Sequence, residues 1–319
     1  MSYTPTVWET GDVITAQLLN KMENAIHAIL SDYDPTNWAD SDIITAEKLN
    51  KLENAIAYIN FAYVKTTWKK DDIITASLLN NMENGIETAS IDKTWEEMDW
   101  NDIIVATRTG KYTSFNLGDM KELNLGTEGI VHMQIVGIDE DDLADGSGKA
   151  PLTFISKELL NTGHRMNPVR TPSSAPYDEG TGAIGGWEKC EIRSYLKETV
   201  KPLIPENVRN AIRDVTKYSN IFDTSGTKVL NSVTKDDVWI PSNQEIFGGT
   251  SYETLGHVYS DVFTDANSRK KFKVGASSAS NWWLRSASSG YGFKCVFGSG
   301  NSDYDSARAT YGVAPGFCL

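Results

Sequence analysis

Three cysteines, Cys190, Cys295 and Cys318, and four histidines, His27, His132, His164 and His257, are the side chains here with the most obvious nucleophilic or metal-binding chemistry. Their spacing supports neither. No Cys/His pair has zinc-site spacing, and H-E-x-x-H, G-x-S-x-G and the P-loop are all missing from the sequence. An odd, sparse set of cysteines reads as reduced, partly buried thiols, with a Cys295 to Cys318 disulfide as the one pairing considered. His27 falls on an expected helix and His132 in an expected strand, so packing or exposure accounts for each. No catalytic residue, cofactor motif or metal set emerges, and the expectation is a protein that is not an enzyme.

The acidic stretch from Asp139 through Glu140, Asp141, Asp142 and Asp145 to Gly146 invites a calcium reading. It fails the EF-hand pattern, because Leu143 and Leu152 stand where an oxygen ligand and a Glu are needed. An exposed, solvated turn is expected instead. Arg285 offers five donors in a fixed fork and is expected to pair with an acidic residue or carbonyls and to hold its own block, Trp282 to Ser286, to the second fixed block, Gly312 to Phe317, with ligand contact as the alternative role.

Recognition chemistry concentrates in residues 281–319. This stretch opens on Trp282, Trp283, Leu284, Arg285 and Ser286 and closes on Gly312, Val313, Ala314, Pro315, Gly316 and Phe317. Between these blocks lie Gly, Ser, Asn, Asp, Arg and Tyr without a 3.6-residue apolar period, so short strands and turns are expected. Tyr gives large rigid contact area at low entropy cost, and Ser, Gly and Asn give adaptable hydrogen bonds. Two fixed ends and a permissive middle suggest a displayed surface.

The two blocks, with Phe293, Cys295, Val296, Gly300 and Ala307 between them, resemble the C-terminus of a domain family of phages and gut bacteria. That family has the C-type lectin fold in its formylglycine-generating-enzyme-like form, and many members are variable proteins of diversity-generating retroelements. The resemblance implies a ligand-binding face at Tyr291, Lys294, Phe297, Ser299, Asn301, Asp303, Tyr304, Asp305, Arg308, Ala309 and Tyr311, where templated mutagenesis rewrites the family's residues. No residue matches the reactive cysteine pair of the formylglycine-generating enzymes. The Glu-Pro-Asn signature of calcium-dependent lectins is also missing.

Those residues need elements to hold them. The sequence has 319 residues, enough for about two units, and a formal charge of −13 argues against a nucleic-acid partner. No run of eighteen apolar residues occurs, and the first five residues lack the pattern of a signal peptide, so no membrane insertion is expected.

The N-terminal third is an internal repeat. Trp8, Trp38 and Trp68 recur every thirty residues, as do Asn20, Asn50 and Asn80, and Glu23, Glu53 and Glu83. In each copy Thr15, Thr45 or Thr75 is a candidate N-cap. Leu19, Met22, Ile26 and Ile29, and again Leu49, Leu52, Ile56 and Ile59, form a short a/d seam that needs a partner, either the neighbouring repeat or another chain. The tryptophans are expected to pack in an extended arm over the helix bundle. A degenerate fourth copy keeps Asp102, Ile103 and Ile104 in phase but shows no helix pattern, which ends the array near Ala106.

Beyond it, residues 129–138 and 152–155 read as a hairpin, residues 188–217 as helical, residues 167–186 as a surface loop, and Val238 to Ile240 as a strand ended by Pro241. The fold class expected is α+β, with helical repeats over residues 1–106 as an oligomeric stalk and a C-type-lectin-like domain over residues 107–319. Segments of the form I-T-A-x-x-L-N-x-x-E resemble tail-fibre and baseplate proteins of phages. Together the resemblances imply an adhesin of a virion tail or surface fibre, made in the bacterial cytoplasm, binding a bacterial cell-surface protein or glycan. They also imply a homo-oligomer, with a trimer as the usual fibre solution, and contacts to other virion proteins through the N-terminus. A structural virion protein without a specific ligand and a bacterial surface variable protein are the alternatives.

Overall fold

In a computed structural model, the described residues are 3–30, 33–60, 63–90, 93–167, 182–249 and 251–319. They form a mixed α and β protein divided into two units, Met1–Ser114 and Phe115–Leu319. The division falls eight residues beyond Ala106.

The repeats make the first unit. Helices α1 (Ala16–Ile29), α2 (Ala46–Ile59) and α3 (Ala76–Ser90) begin where the threonines predict. Thr15, Thr45 and Thr75 each accept an amide three residues on, at 3.3 Å, satisfying an orphan donor of the first turn. The seam residues Leu19, Met22, Ile26, Leu52, Ile56, Leu79, Met82 and Ile86 are buried together, and Leu49 is buried as well. Each such side chain contributes about 1.5–3 kcal/mol by leaving water.

The partner of each seam is in the same chain. The Trp38 arm lies on α1, where Asn20 takes its amide at 2.8 Å and donates to its carbonyl at 2.9 Å. Trp68 is held the same way by Asn50 on α2. Trp8 does not wait for a preceding repeat: it is clamped by Asn80 on α3 at 2.7 and 2.9 Å, seventy-two residues away. The three repeats therefore close on themselves with pseudo-threefold symmetry.

Below each clamp a fully buried glutamate collects donors. Glu23 receives the Trp38 indole at 3.1 Å, the Tyr33 hydroxyl at 2.5 Å and the Thr36 amide at 3.0 Å. Glu53 repeats this with Trp68, Tyr63 and Thr66, and Glu83 closes the ring with Trp8, Tyr3 and Thr6. Burial, then the facing carboxylate, raises the pKa of all three tyrosines, so each hydroxyl keeps its proton to donate.

The fourth copy corrects the expectation of no helix. Residues Trp100–Thr109 form α4, because Asp99 caps it in a capping box with Asp102. In the true repeats the equivalent pair, Val13–Ile14, Ile43–Ile44 or Ile73–Ile74, precedes the helix; here the helix starts earlier and buries Ile103 and Ile104.

The second unit is built on an antiparallel sheet of β1 (Met120–Asn124), β2 (Ile130–Ile138), β3 (Leu152–Ser156), β6 (Val238–Trp239) and β10 (Gly316–Cys318), in the order β1-β2-β3-β10-β6. The β2–β3 pair is the hairpin read from the sequence. The stretch expected to be helical is broken into α5 (Gly186–Lys189), α6 (Glu191–Tyr195), a π-turn, and α7 (Glu206–Ala211). Val215 and Lys217 are not helical: they start β4 (Val215–Phe222), which pairs with β5 (Lys228–Asp236). The helices α8 (Asn243–Phe247) and α9 (Ala266–Arg269) precede a further, three-stranded sheet of β7 (Trp282–Ala287), β8 (Gly292–Val296) and β9 (Ser302–Ser306). Most of the expected 167–186 loop lies outside the described residues. Its ends, Asn167 and 182–186, are buried and not on the surface.

Candidate ligand-binding face

The two fixed blocks stand in different sheets. Trp282 to Ala287 is β7, while Gly316 begins β10 in the five-stranded sheet. They meet where the Trp283 amide donates to the Gly312 carbonyl at 3.1 Å and the Gly312 amide to Asn281 at 2.9 Å. Both are buried; the segment between them forms β8, a turn and the edge strand β9.

That turn depends on Gly300. Its φ is +86°, and a Cβ would stand 1.8 Å from the Ala266 carbonyl oxygen. Gly292 is similarly constrained, with the Asp305 carbonyl 2.4 Å from where its Cβ would be. Only glycine lets the strands approach this closely.

Register sorts the candidate residues onto two faces. Lys294 lies opposite Tyr304, whereas Cys295 lies opposite Asp303 and Phe293 opposite Asp305. Tyr304 is 62% exposed, and Lys294, only 7% exposed, sits 6.0 Å from the Tyr304 ring and 5.2 Å from that of Tyr252. Burial depresses the Lys294 pKa. On the other side Asp305 accepts the Tyr311 hydroxyl, and the Tyr311 ring packs 4.7 Å from that of Trp283. Burial and Asp305 push the Tyr311 phenol up to about 12.

The eleven residues thus do not form a single surface. Lys294 and Tyr304 come together, and Asp305 and Tyr311 form a second pair anchored to the framework. Ser299, Asn301 and Arg308 are exposed in the turns, while Tyr291, Phe297, Asp303 and Ala309 are half-buried. Tyr252, which completes the first cluster with Lys228 4.8 Å from its ring, was not singled out from the sequence. It lies far outside the segment between the blocks, and no local pattern links it to Tyr304.

The second unit also holds a buried charge network. Arg285 on β7 makes a two-pronged pair with Glu245 of α8 at 2.6 and 2.7 Å and donates to the Tyr218 and Ile240 carbonyls. It joins β7 to α8 and β4, and does not bridge the two blocks. Asp141, from the stretch expected to be solvated, is also buried, as is Leu143. Its carboxyl takes Lys217 at 2.5 Å, Thr153 at 2.6 Å and Tyr259 at 2.8 Å.

Burial opposes the charge on both Asp141 and Glu245. The cations Lys217 and Arg285 outweigh it and hold both carboxyls below their usual range. Lys217 and Arg285 are raised for the mirror reason. Glu253, with no cation bonded to it directly, is raised by burial.

All three cysteines are free and buried, so the Cys295 to Cys318 pairing is not formed. Burial pushes Cys190 and Cys295 up to about 12, which suppresses thiolate chemistry. Among the described residues no His, Cys, Asp and Glu cluster could hold a metal ion, and no helix is long and apolar enough to cross a membrane.

Residues 153–319 match a domain of unknown function, DUF6273. The match takes in β3 and every later element, including both fixed blocks, and covers more than half of the chain. The chain belongs to that family. No curated protein and no solved structure matches the chain.

Proposed function

We propose that this chain is a receptor-binding protein of a phage-type particle. A C-type-lectin-like second unit recognises a bacterial surface protein or glycan, and the repeat unit is the attachment end. The observation that carries the reading is Tyr304, a large aromatic side chain displayed on an edge strand whose flanking blocks are buried. With Tyr252 it offers two rings, backed by the largely buried amine of Lys294, a surface suited to a sugar face or an aromatic protein side chain.

The repeat unit exposes Val13, Ile43 and Ile73 at equivalent positions, which supports contact with other virion proteins. A homotrimeric fibre would have to assemble through such surfaces, since the helix seams are consumed within the chain. Several copies on one particle would raise avidity by effective concentration.

The test is binding of the full-length protein to a panel of intact gut bacteria, beside Tyr304→Ala and Tyr252→Ala variants whose unfolding is unchanged. Strain-selective binding that weakens about tenfold or more in both variants is expected. Equal binding by all three proteins would remove this face from the function.

A further inference from the structure

Asp141, Lys217, Glu245 and Arg285 are sealed together in the second unit, and their arrangement is more specific than charge balance requires. The Lys217 amine is 2.5 Å from Asp141 Oδ1 and 3.2 Å from Glu245 Oε1. Asp141 Oδ2 accepts from two hydroxyl donors, Thr153 Oγ1 at 2.6 Å and Tyr259 Oη at 2.8 Å, and Tyr259 Oη in turn accepts from the Lys217 amine at 3.1 Å. The Trp239 ring covers the amine at 3.5 Å. A nucleophile, a carboxyl with one oxygen in a two-donor cradle, a second carboxylate within reach of the amine and exclusion of water are what an amide-forming condensation needs.

The geometry points to an autocatalytic isopeptide bond between Lys217 Nζ and Asp141 Cγ. One ammonium proton passes through Glu245 Oε1 to Asp141 Oδ1, leaving a neutral amine and a neutral acid. The amine lone pair then forms the Nζ–Cγ bond while Oδ2 takes up negative charge against Thr153 and Tyr259. Glu245 accepts a second proton from Nζ and hands it to Oδ1; the Cγ–Oδ1 bond breaks and Oδ1 leaves as water. One carboxylate and one ammonium become one amide and one water, with no change in oxidation state.

Charge is conserved as well as atoms. The step removes one buried cation and one buried anion and leaves the Arg285–Glu245 pair intact, so no charge is stranded. Burial by itself works against both reacting charges and only their mutual attraction keeps them ionised; the amide removes both charges from the core. The link would tie the β2–β3 connection to β4 across seventy-six residues of sequence.

Intact mass of the folded full chain, recorded under denaturing and reducing conditions, tests this. The expected mass is one water below that of the sequence, and proteolysis yields a branched peptide joining the segments that carry Asp141 and Lys217. Lys217→Arg is expected at its full sequence mass, and Glu245→Gln is expected to accumulate unlinked chain. A full-mass wild-type protein would overturn the proposal. So would a water loss confined to a linear peptide at Asp145 and Gly146, where succinimide formation has the same mass. Equal linking in Glu245→Gln would remove Glu245 from the step.

Discussion

Lys271 shows how a single buried side chain can set a pH response. Its amine is buried, donates to the Ser156 carbonyl and lies 5.3 Å from the Trp282 ring and 5.7 Å from that of Phe263. Burial, helped by Lys157 and only partly offset by Glu158, lowers its pKa from 10.5 to about 7. Between those values the unfolded chain binds more protons than the folded one, so stability rises with pH across that window. The slope approaches about 1.4 kcal/mol per pH unit for one proton. Chemical denaturation of the full chain at steps from about pH 7 to about pH 9 should show this rise, and Lys271→Met should abolish it. An identical slope in the variant would assign the response to another group.

At the level of elements, the candidate face depends on one turn. Gly300 combines a left-handed φ with a carbonyl where a side chain would begin, so Gly300→Ala meets both strain and a clash with backbone. Gly146 also has a positive φ, +78°, but nothing lies within 4 Å of its Cβ position. The two substitutions separate the effects. Gly146→Ala should cost about 1–2 kcal/mol for the backbone alone, and Gly300→Ala clearly more, with loss of the β8–β9 pairing. Denaturation midpoints of both variants check this, and equal midpoints would mean the turn adapts at little cost. Pairing only with β8 makes β9 an edge strand, and the period-two alternation of its side chains places Tyr304 on one side and Asp305 on the other.

The whole molecule turns on how the repeats close. Trp8, Tyr3 and Thr6 supply to Asn80 and Glu83 what later repeats supply to Asn20, Asn50, Glu23 and Glu53. In a linear array, removing the first repeat would shorten the stack and leave the rest folded. In a closed ring it leaves the Glu83 carboxylate and the Asn80 side chain without their partners and opens the core. A chain lacking residues 3–32 should therefore lose most of the helical signal of its first unit or recover it only by associating with other copies. Circular dichroism with solution mass checks this, and a monomer with two intact repeat helices would refute closure.

Much of this was legible in the sequence because it is local. The thirty-residue period, the threonine caps and the Leu, Met and Ile seam each act within one or two turns of helix, and the β2–β3 hairpin announces itself by branched residues around a polar turn. The two blocks around a permissive segment are likewise visible as composition. What local pattern cannot carry is the identity of a distant partner. The repeat reads the same whether its ends are open or joined, so only the packed chain decides that Trp8 belongs to α3. An aspartate in an acidic run looks solvated until Lys217, seventy-six residues on, is brought against it. The fourth copy looked like the end of the array because Asp99 moved the cap; strand register, set by pairing across the sheet, parted Tyr304 from Tyr311. Burial and pairing over long separations are properties of the folded chain, and there the tertiary structure decides.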